Sequence, residues 1–106
     1  MTTEWTTEEA AFQLILHAGN AKSSLMEGMY LAREDKFDEA RAKLAEAKEE
    51  LSQAHSSQTK LIQTEASGEK FDISILLIHA QDHLMNAMTM KELVEEIIIL
   101  HEKCSK

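Results

Sequence analysis

Along most of the chain, apolar side chains recur at alternating steps of three and four, the period of a helix that buries one face. Two interruptions divide this pattern. The first is the charged, non-periodic stretch Arg33-Glu34-Asp35-Lys36. The second is Ala66-Ser67-Gly68-Glu69-Lys70, where serine and glycine break the spacing. The pattern predicts three helices, over about 6–32, 37–65 and 72–103, in one domain spanning 1–106. No internal repeat or low-complexity segment disturbs that division.

Thr6 and Glu9 fit a capping box at the start of the first helix. Phe12, Ile15, Leu16, Gly19, Met26 and Met29 then form its expected seam, with Gly19 pointing to close packing by a neighbour. The second helix is the most regular. Phe37, Ala40, Leu44, Ala47, Leu51, Ala54, Gln58 and Leu61 make a coiled-coil seam whose alanines permit close approach. Its other face, from Asp38 and Glu39 through Arg41, Lys43, Glu46, Lys48, Glu49 and Glu50, reads as solvated.

The third helix is expected to begin near Asp72, a suitable N-cap, and to run to about His101. Ile73, Leu77, Ala80, Leu84, Ala87, Val94 and Ile98 form the seam toward the other two helices. Ile75, Leu76, Ile78, Met85, Met88, Leu93, Ile97 and Ile99 are apolar as well. A helix apolar nearly all round needs more cover than two partners provide. Further copies of the chain are expected to meet around helix three.

Composition agrees with an all-α fold. The 106 residues include no proline, three glycines and 5% aromatics, which disfavours a turn-rich sheet protein. A formal charge of -8 argues against nucleic acid and anionic lipid as partners. The single cysteine, Cys104, excludes an intramolecular disulfide and suits a reducing compartment. Met1-Thr2-Thr3-Glu4-Trp5 lacks the marks of a signal peptide, and Ile73 to Ile78 is too short to span a bilayer. A cytoplasmic protein without direct membrane insertion is expected.

Polar residues interrupt the third helix at His79, Asp82, His83 and Asn86, a spacing that puts all four on one face. Three readings fit them. They form a satisfied polar network that fixes the register of a helical oligomer or adaptor. They bind a metal, although Ala80 stands where a zinc protease carries its glutamate. Or they perform nucleophilic chemistry, since a neutral imidazole has a nucleophilic nitrogen at physiological pH and a neighbour can hold its tautomer. An imidazole can accept a phosphoryl group with no bound nucleotide, which suits a chain without a glycine-rich phosphate loop.

The run Leu77-Ile78-His79-Ala80-Gln81-Asp82-His83-Leu84-Met85, with Ala54-His55-Ser56-Ser57-Gln58-Thr59 upstream, resembles the lactose/cellobiose-type IIA components of the bacterial phosphoenolpyruvate-dependent sugar phosphotransferase system. The resemblance covers essentially the whole chain. It implies a three-helix antiparallel bundle that trimerises through helix three into a nine-helix assembly. It implies that His79 takes a phosphoryl group from HPr and passes it to a cysteine of the IIB component, with the membrane IIC component engaged only indirectly. Asp82 would meet its two symmetry mates around one divalent ion per trimer, described for the family as magnesium. Gln81, His83 and Asn86 would orient or bond the phosphorylated imidazole, and Gln58, polar on an apolar seam, joins them as a candidate. The sugar would be a β-linked disaccharide; Ala80, where lactose-type relatives tend to carry glycine, leans toward the cellobiose or chitobiose branch.

Before the ion is counted, such a trimer would carry -24, three chains at -8, which favours a partner with a basic surface. It would place His79 at a shallow subunit boundary, with Asp82 deeper. Outside the stripe, His17 reads as a hydrogen-bonded packing residue and His101 as a surface residue favoured by the helix dipole. His55 is either structural or close to His79. Met85, Met88 and Met90 read as adaptable filler, and Cys104 as inert.

Overall fold

The computed structural model describes residues 6–70 and 73–105, in which three α-helices and no strand are found. They are α1 (Thr7–Arg33), α2 (Phe37–Ala66) and α3 (Ile75–Cys104). α1 begins with the capping box: the Glu9 amide donates to Thr6 Oγ1 at 3.0 Å, and the Thr6 amide donates to Glu9 Oε1 at 2.9 Å. Its other end is a Schellman motif hidden in the charged stretch. The Lys36 amide donates to the Leu31 carbonyl at 2.9 Å and the Asp35 amide to that of Ala32 at 3.0 Å. Asp35 occupies the left-handed position, φ 63°, where a short polar side chain is tolerated. The second break uses Gly68 at φ 100°, a conformation that favours glycine.

α3 begins later than the sequence suggests. Ser74 is its N-cap, accepting from the Leu77 amide at 3.1 Å. Asp72, the expected cap, lies outside the described residues.

The short connections force consecutive helices to run antiparallel, and the cross-helix pairs show it. From one end of α1 to the other, Glu27 meets Lys43, Ser24 meets Glu46 and His17 meets Glu50. On α2 and α3, Arg41 pairs with Glu102, Lys48 with Glu95 and Gln58 with Gln81. The result is a rod of 57 × 22 × 20 Å in which α1 packs extensively against both partners. None of its helices, among the described residues, is long and apolar enough to cross a membrane.

The buried seams of α2 and α3 follow the periodicity. Ala40, Leu44, Ala47, Leu51, Ala54 and Leu61 are buried on α2, and Leu77, Ala80, Leu84, Ala87, Val94 and Ile98 on α3. Ile73, assigned to the α3 seam, is instead exposed.

α1 buries a stripe that differs in part from the expected one. Ala10, Ala11, Leu14, Ala18, Ala21, Leu25, Gly28 and Ala32 face the core, and Ile15 and Met29 of the expected seam pack partly buried against it, while Phe12 and Leu16 are 61% and 52% exposed. Small side chains let the helix axes approach, so the alanine stripe rather than the bulkier one is fully buried within the chain. Gly19 likewise has no neighbour within 4 Å of a Cβ built on it, and the close approach occurs at Gly28.

α3 leaves a second apolar strip uncovered. Ile75, Ile78, Met85, Leu93 and Leu100 are all more than half exposed and lie on the side of the helix facing away from the core.

Candidate functional site

α3 carries Leu77, Ala80, Leu84 and Ala87 into the core, and this fixes where every other side chain points. Asp82 falls in the middle of the uncovered strip, between Ile78 and Met85, and is itself exposed. His79 and Asn86, also exposed, lie at one margin of that strip. His83, half-buried, turns further toward α1.

His79 and His83 touch. Their ring centroids are 4.5 Å apart at an interplanar angle of 86°, and Nε2 of one faces Nε2 of the other at 3.1 Å. Lys22 reaches across from α1 and brings its Nζ to 3.4 Å from Nδ1 of His83. Burial, first of all, and then the positive charge of Lys22 push the His83 pKa below the ordinary histidine value; His79 adds to this and Asp82 opposes it. His83 is thereby biased toward the neutral imidazole, a ring with one donor and one acceptor nitrogen.

Gln81 points elsewhere. Two residues beyond His79, it is rotated by about 200° around the helix. It accepts from Gln58 Nε2 at 2.7 Å across the α2–α3 interface. Gln81 also lines a mostly apolar groove of about 200 Å³, together with Leu61, Ile62, Glu65, Ile73, Leu77 and Ile78. Within one chain, then, Gln58 and Gln81 bond each other, while His79 bonds His83.

His55 is exposed on α2 beside Lys48, Ser52, Met88 and Lys91, roughly 13 Å along α3 from His79. His17 is a hydrogen-bonded residue between helices: Nδ1 lies 2.7 Å from Glu50 Oε1 and Nε2 lies 3.1 Å from Gln13 Oε1. His101 is half-buried in the last turn of α3, and Cys104 is free and exposed.

Among the described residues of one chain, no three His, Cys, Asp or Glu side chains cluster as a metal site. Asp82 offers one exposed carboxylate per chain, so a shared cation would need further copies to complete its ligands.

The residue that sequence reasoning missed is Lys22. A lysine at the edge of a helix usually keeps its head in water. Only the true buried stripe, Ala18, Ala21 and Leu25, shows that Lys22 lies on the side of α1 turned toward α3. The bulkier apolar stripe of α1 hides that signal in the sequence.

The chain resembles known proteins over nearly its full length. The family model for the lactose/cellobiose-specific IIA subunit of the PTS system matches residues 9–102. The lichenan-specific phosphotransferase enzyme IIA component of Bacillus subtilis (strain 168) is 54% identical, over 93% of this chain and 90% of that protein. The crystal structure of the PTS cellobiose-specific enzyme IIA from Bacillus anthracis superposes with a TM-score of 0.92 at 52% identity, covering 97% of this chain and 94% of that one. A chain in the solution structure of the IIA(chitobiose)–HPr complex, from the N,N'-diacetylchitobiose branch of the Escherichia coli phosphotransferase system, superposes with a TM-score of 0.82 at 36% identity, covering 97% and 100%. With the matched residues spanning all three helices and the whole of the His79–Asn86 stripe, the chain belongs to the lactose/cellobiose-specific IIA subunits of the sugar phosphotransferase system.

Proposed function

We propose that His79 is the phosphoryl acceptor of this IIA component, taking the group from HPr and passing it to a cysteine of a IIB component. The observation that carries the reading is an exposed imidazole, His79, whose Nε2 faces Nε2 of the neighbouring His83 at 3.1 Å. In the transfer, the lone pair of a His79 ring nitrogen forms a bond to phosphorus as the donor's P–N bond breaks, and that electron pair returns to the donor ring. The second step repeats this with a thiolate as nucleophile and His79 as leaving group. Exposure is required, because both partners must bring their reacting atoms to the same nitrogen. The IIA(chitobiose)–HPr complex among the structural neighbours supports HPr as the donor.

The assembly belongs to the same proposal. Three chains pack through the uncovered apolar strip of α3 into a nine-helix trimer, which brings three Asp82 carboxylates together on the threefold axis. Three close like charges are costly without a cation. A divalent ion held by the three Asp82 side chains, magnesium by the family resemblance, supplies positive charge between them. His79, at the margin of the strip, then lies at the subunit boundary, with Asp82 deeper. Three chains sum to -24 before the ion is counted, so a basic surface on HPr would be steered toward the trimer, less strongly at high salt.

The sugar is a β-linked disaccharide of the cellobiose or chitobiose type rather than lactose. Ala80 supports this, as does the cellobiose-specific relative at 52% identity. The test is incubation with phosphoenolpyruvate, enzyme I and HPr, followed by assay for acid-labile phosphate on this chain. The label is expected on the wild type and absent from His79→Ala. No label on the wild type, or a label surviving in the variant, would sink the reading.

A further inference from the structure

Two contacts join α1 to the reacting imidazole in series: Lys22 Nζ to His83 Nδ1 at 3.4 Å, and His83 Nε2 to His79 Nε2 at 3.1 Å. An ammonium group has three donors and no acceptor. Whatever meets it must offer a lone pair, so His83 Nδ1 is unprotonated and the His83 proton sits on Nε2. That N–H points at His79 Nε2, which must accept. His79 Nε2 is therefore the nitrogen with the lone pair, and the His79 proton sits on Nδ1. The opposite arrangement, with His79 donating to His83, would put an N–H of His83 against the ammonium.

We propose that Lys22 is a positioning residue for phosphoryl transfer: through His83 it fixes the tautomer of His79, keeping Nε2 as the nucleophile. This rests on His79 being the phosphoryl acceptor. The proton count is simple. The neutral ring, protonated at Nδ1, attacks through Nε2, and no proton has to leave the attacking nitrogen. As phosphorus arrives, His83 Nε2–H gives up its bond to His79 and is placed to donate to a phosphoryl oxygen. The same proton thus selects the nucleophile before transfer and meets the new negative charge after it. Removing the ammonium makes both tautomer pairs available. The proton then resides part of the time on the nitrogen that must attack.

The bland alternative is that Lys22 merely packs its stem between α1 and α3. Ring-nitrogen spectroscopy separates the two. In the full-length protein with 15N-labelled histidine, two-bond 1H–15N correlations are recorded where both rings are neutral. The wild type is expected to show His83 protonated on Nε2 and His79 on Nδ1. In Lys22→Met, which keeps an apolar stem, both rings are expected to show mixed tautomers. In Lys22→Arg, which restores a donor, the wild-type pattern is expected to return. Phosphoryl acceptance from phospho-HPr should fall on the order of tenfold or more in Lys22→Met, as when the outer partner that fixes the tautomer of a metal-ligating histidine is removed. A Lys22→Met pattern identical to the wild type overturns the proposal, whatever happens to the transfer rate. So does a Lys22→Arg pattern that stays mixed. A wild type with the expected tautomers that never accepts phosphate would instead overturn the phosphocarrier reading.

Discussion

Gly28 on α1 passes Ala40 on α2 so closely that a Cβ built on it would lie 3.3 Å from the Ala40 carbonyl oxygen, with Lys43 Cβ at 3.4 Å. Backbone cannot swing aside as the end of a side chain can. Gly28→Ala would gain about 0.5–1 kcal/mol of helix propensity but would pay roughly 1–3 kcal/mol in overpacking. The net expectation is a loss on the order of 1 kcal/mol. Gly19→Ala, with open space around it in the protomer, should gain about 0.5–1 kcal/mol. Urea unfolding of the two variants side by side gives opposite shifts in midpoint if this packing is right. Equal shifts would contradict it.

The contact between His17 and Glu50 has a pH signature. Hydrogen bonding to His17, opposed by burial and helped by Asn20, holds the Glu50 carboxyl below the ordinary carboxylate range. A carboxyl that is more acidic in the folded state contributes its full stability above its unfolded pKa. That contribution is lost as pH falls through the folded value. Glu50→Gln should therefore unfold more easily at neutral pH and show a flatter decline in acid. A pair of thermal melting series, at neutral pH and in acid, measures this. Parallel pH profiles for wild type and variant would show that the contact contributes nothing.

Much of this architecture was legible in the sequence, for reasons that differ by helix. α2 is a surface helix with one apolar face, so the Phe37–Leu61 period could be assigned in only one way. α3 has two apolar faces, yet the Ala80 and Ala87 side was assigned correctly because its seven-residue repeat is unbroken through Leu84. On α1 the expected seam coincides only in part with the buried one, because both faces of the helix are apolar and the outer one is bulkier. Hydrophobicity favours Phe12 and Leu16, whereas close packing of three helices favours Ala18 and Ala21. The candidate site divides in the same way. His79, Asp82, His83 and Asn86 share one helix, and their common face follows from spacing alone. The Lys22 contact and the Gln58–Gln81 bond join different helices. Each depends on the register of one helix against another, which no periodicity encodes.

The proposed ion gives a further prediction. If three Asp82 carboxylates share one cation, a chelator should lower the melting temperature of the wild-type assembly. Asp82→Asn removes the three charges and with them the need for the ion, so its melting temperature should not respond to chelator. Its trimer should persist, or even tighten, because uncompensated like charges no longer oppose association. Wild type and variant responding alike to chelator would leave Asp82 without a metal role.

Other copies of the chain are expected to cover the apolar strip on α3. Ile78 and Met85 flank Asp82 along the helix, and both are more than half exposed in the protomer. Neither contributes much to the core of one chain, so replacing either should leave the three helices folded. In a trimer built on this strip, Met85→Glu would set three more carboxylates beside the three of Asp82, in a place where burying one charge costs several kcal/mol. A negative substitution is the sharper choice, because a lysine there could pair with Asp82 and hide the effect. Light scattering should then report the mass of a single chain, with the helical signal in circular dichroism unchanged. A variant that retained the trimer mass would show that the chains associate through another surface, and Asp82 would lose its place on the axis.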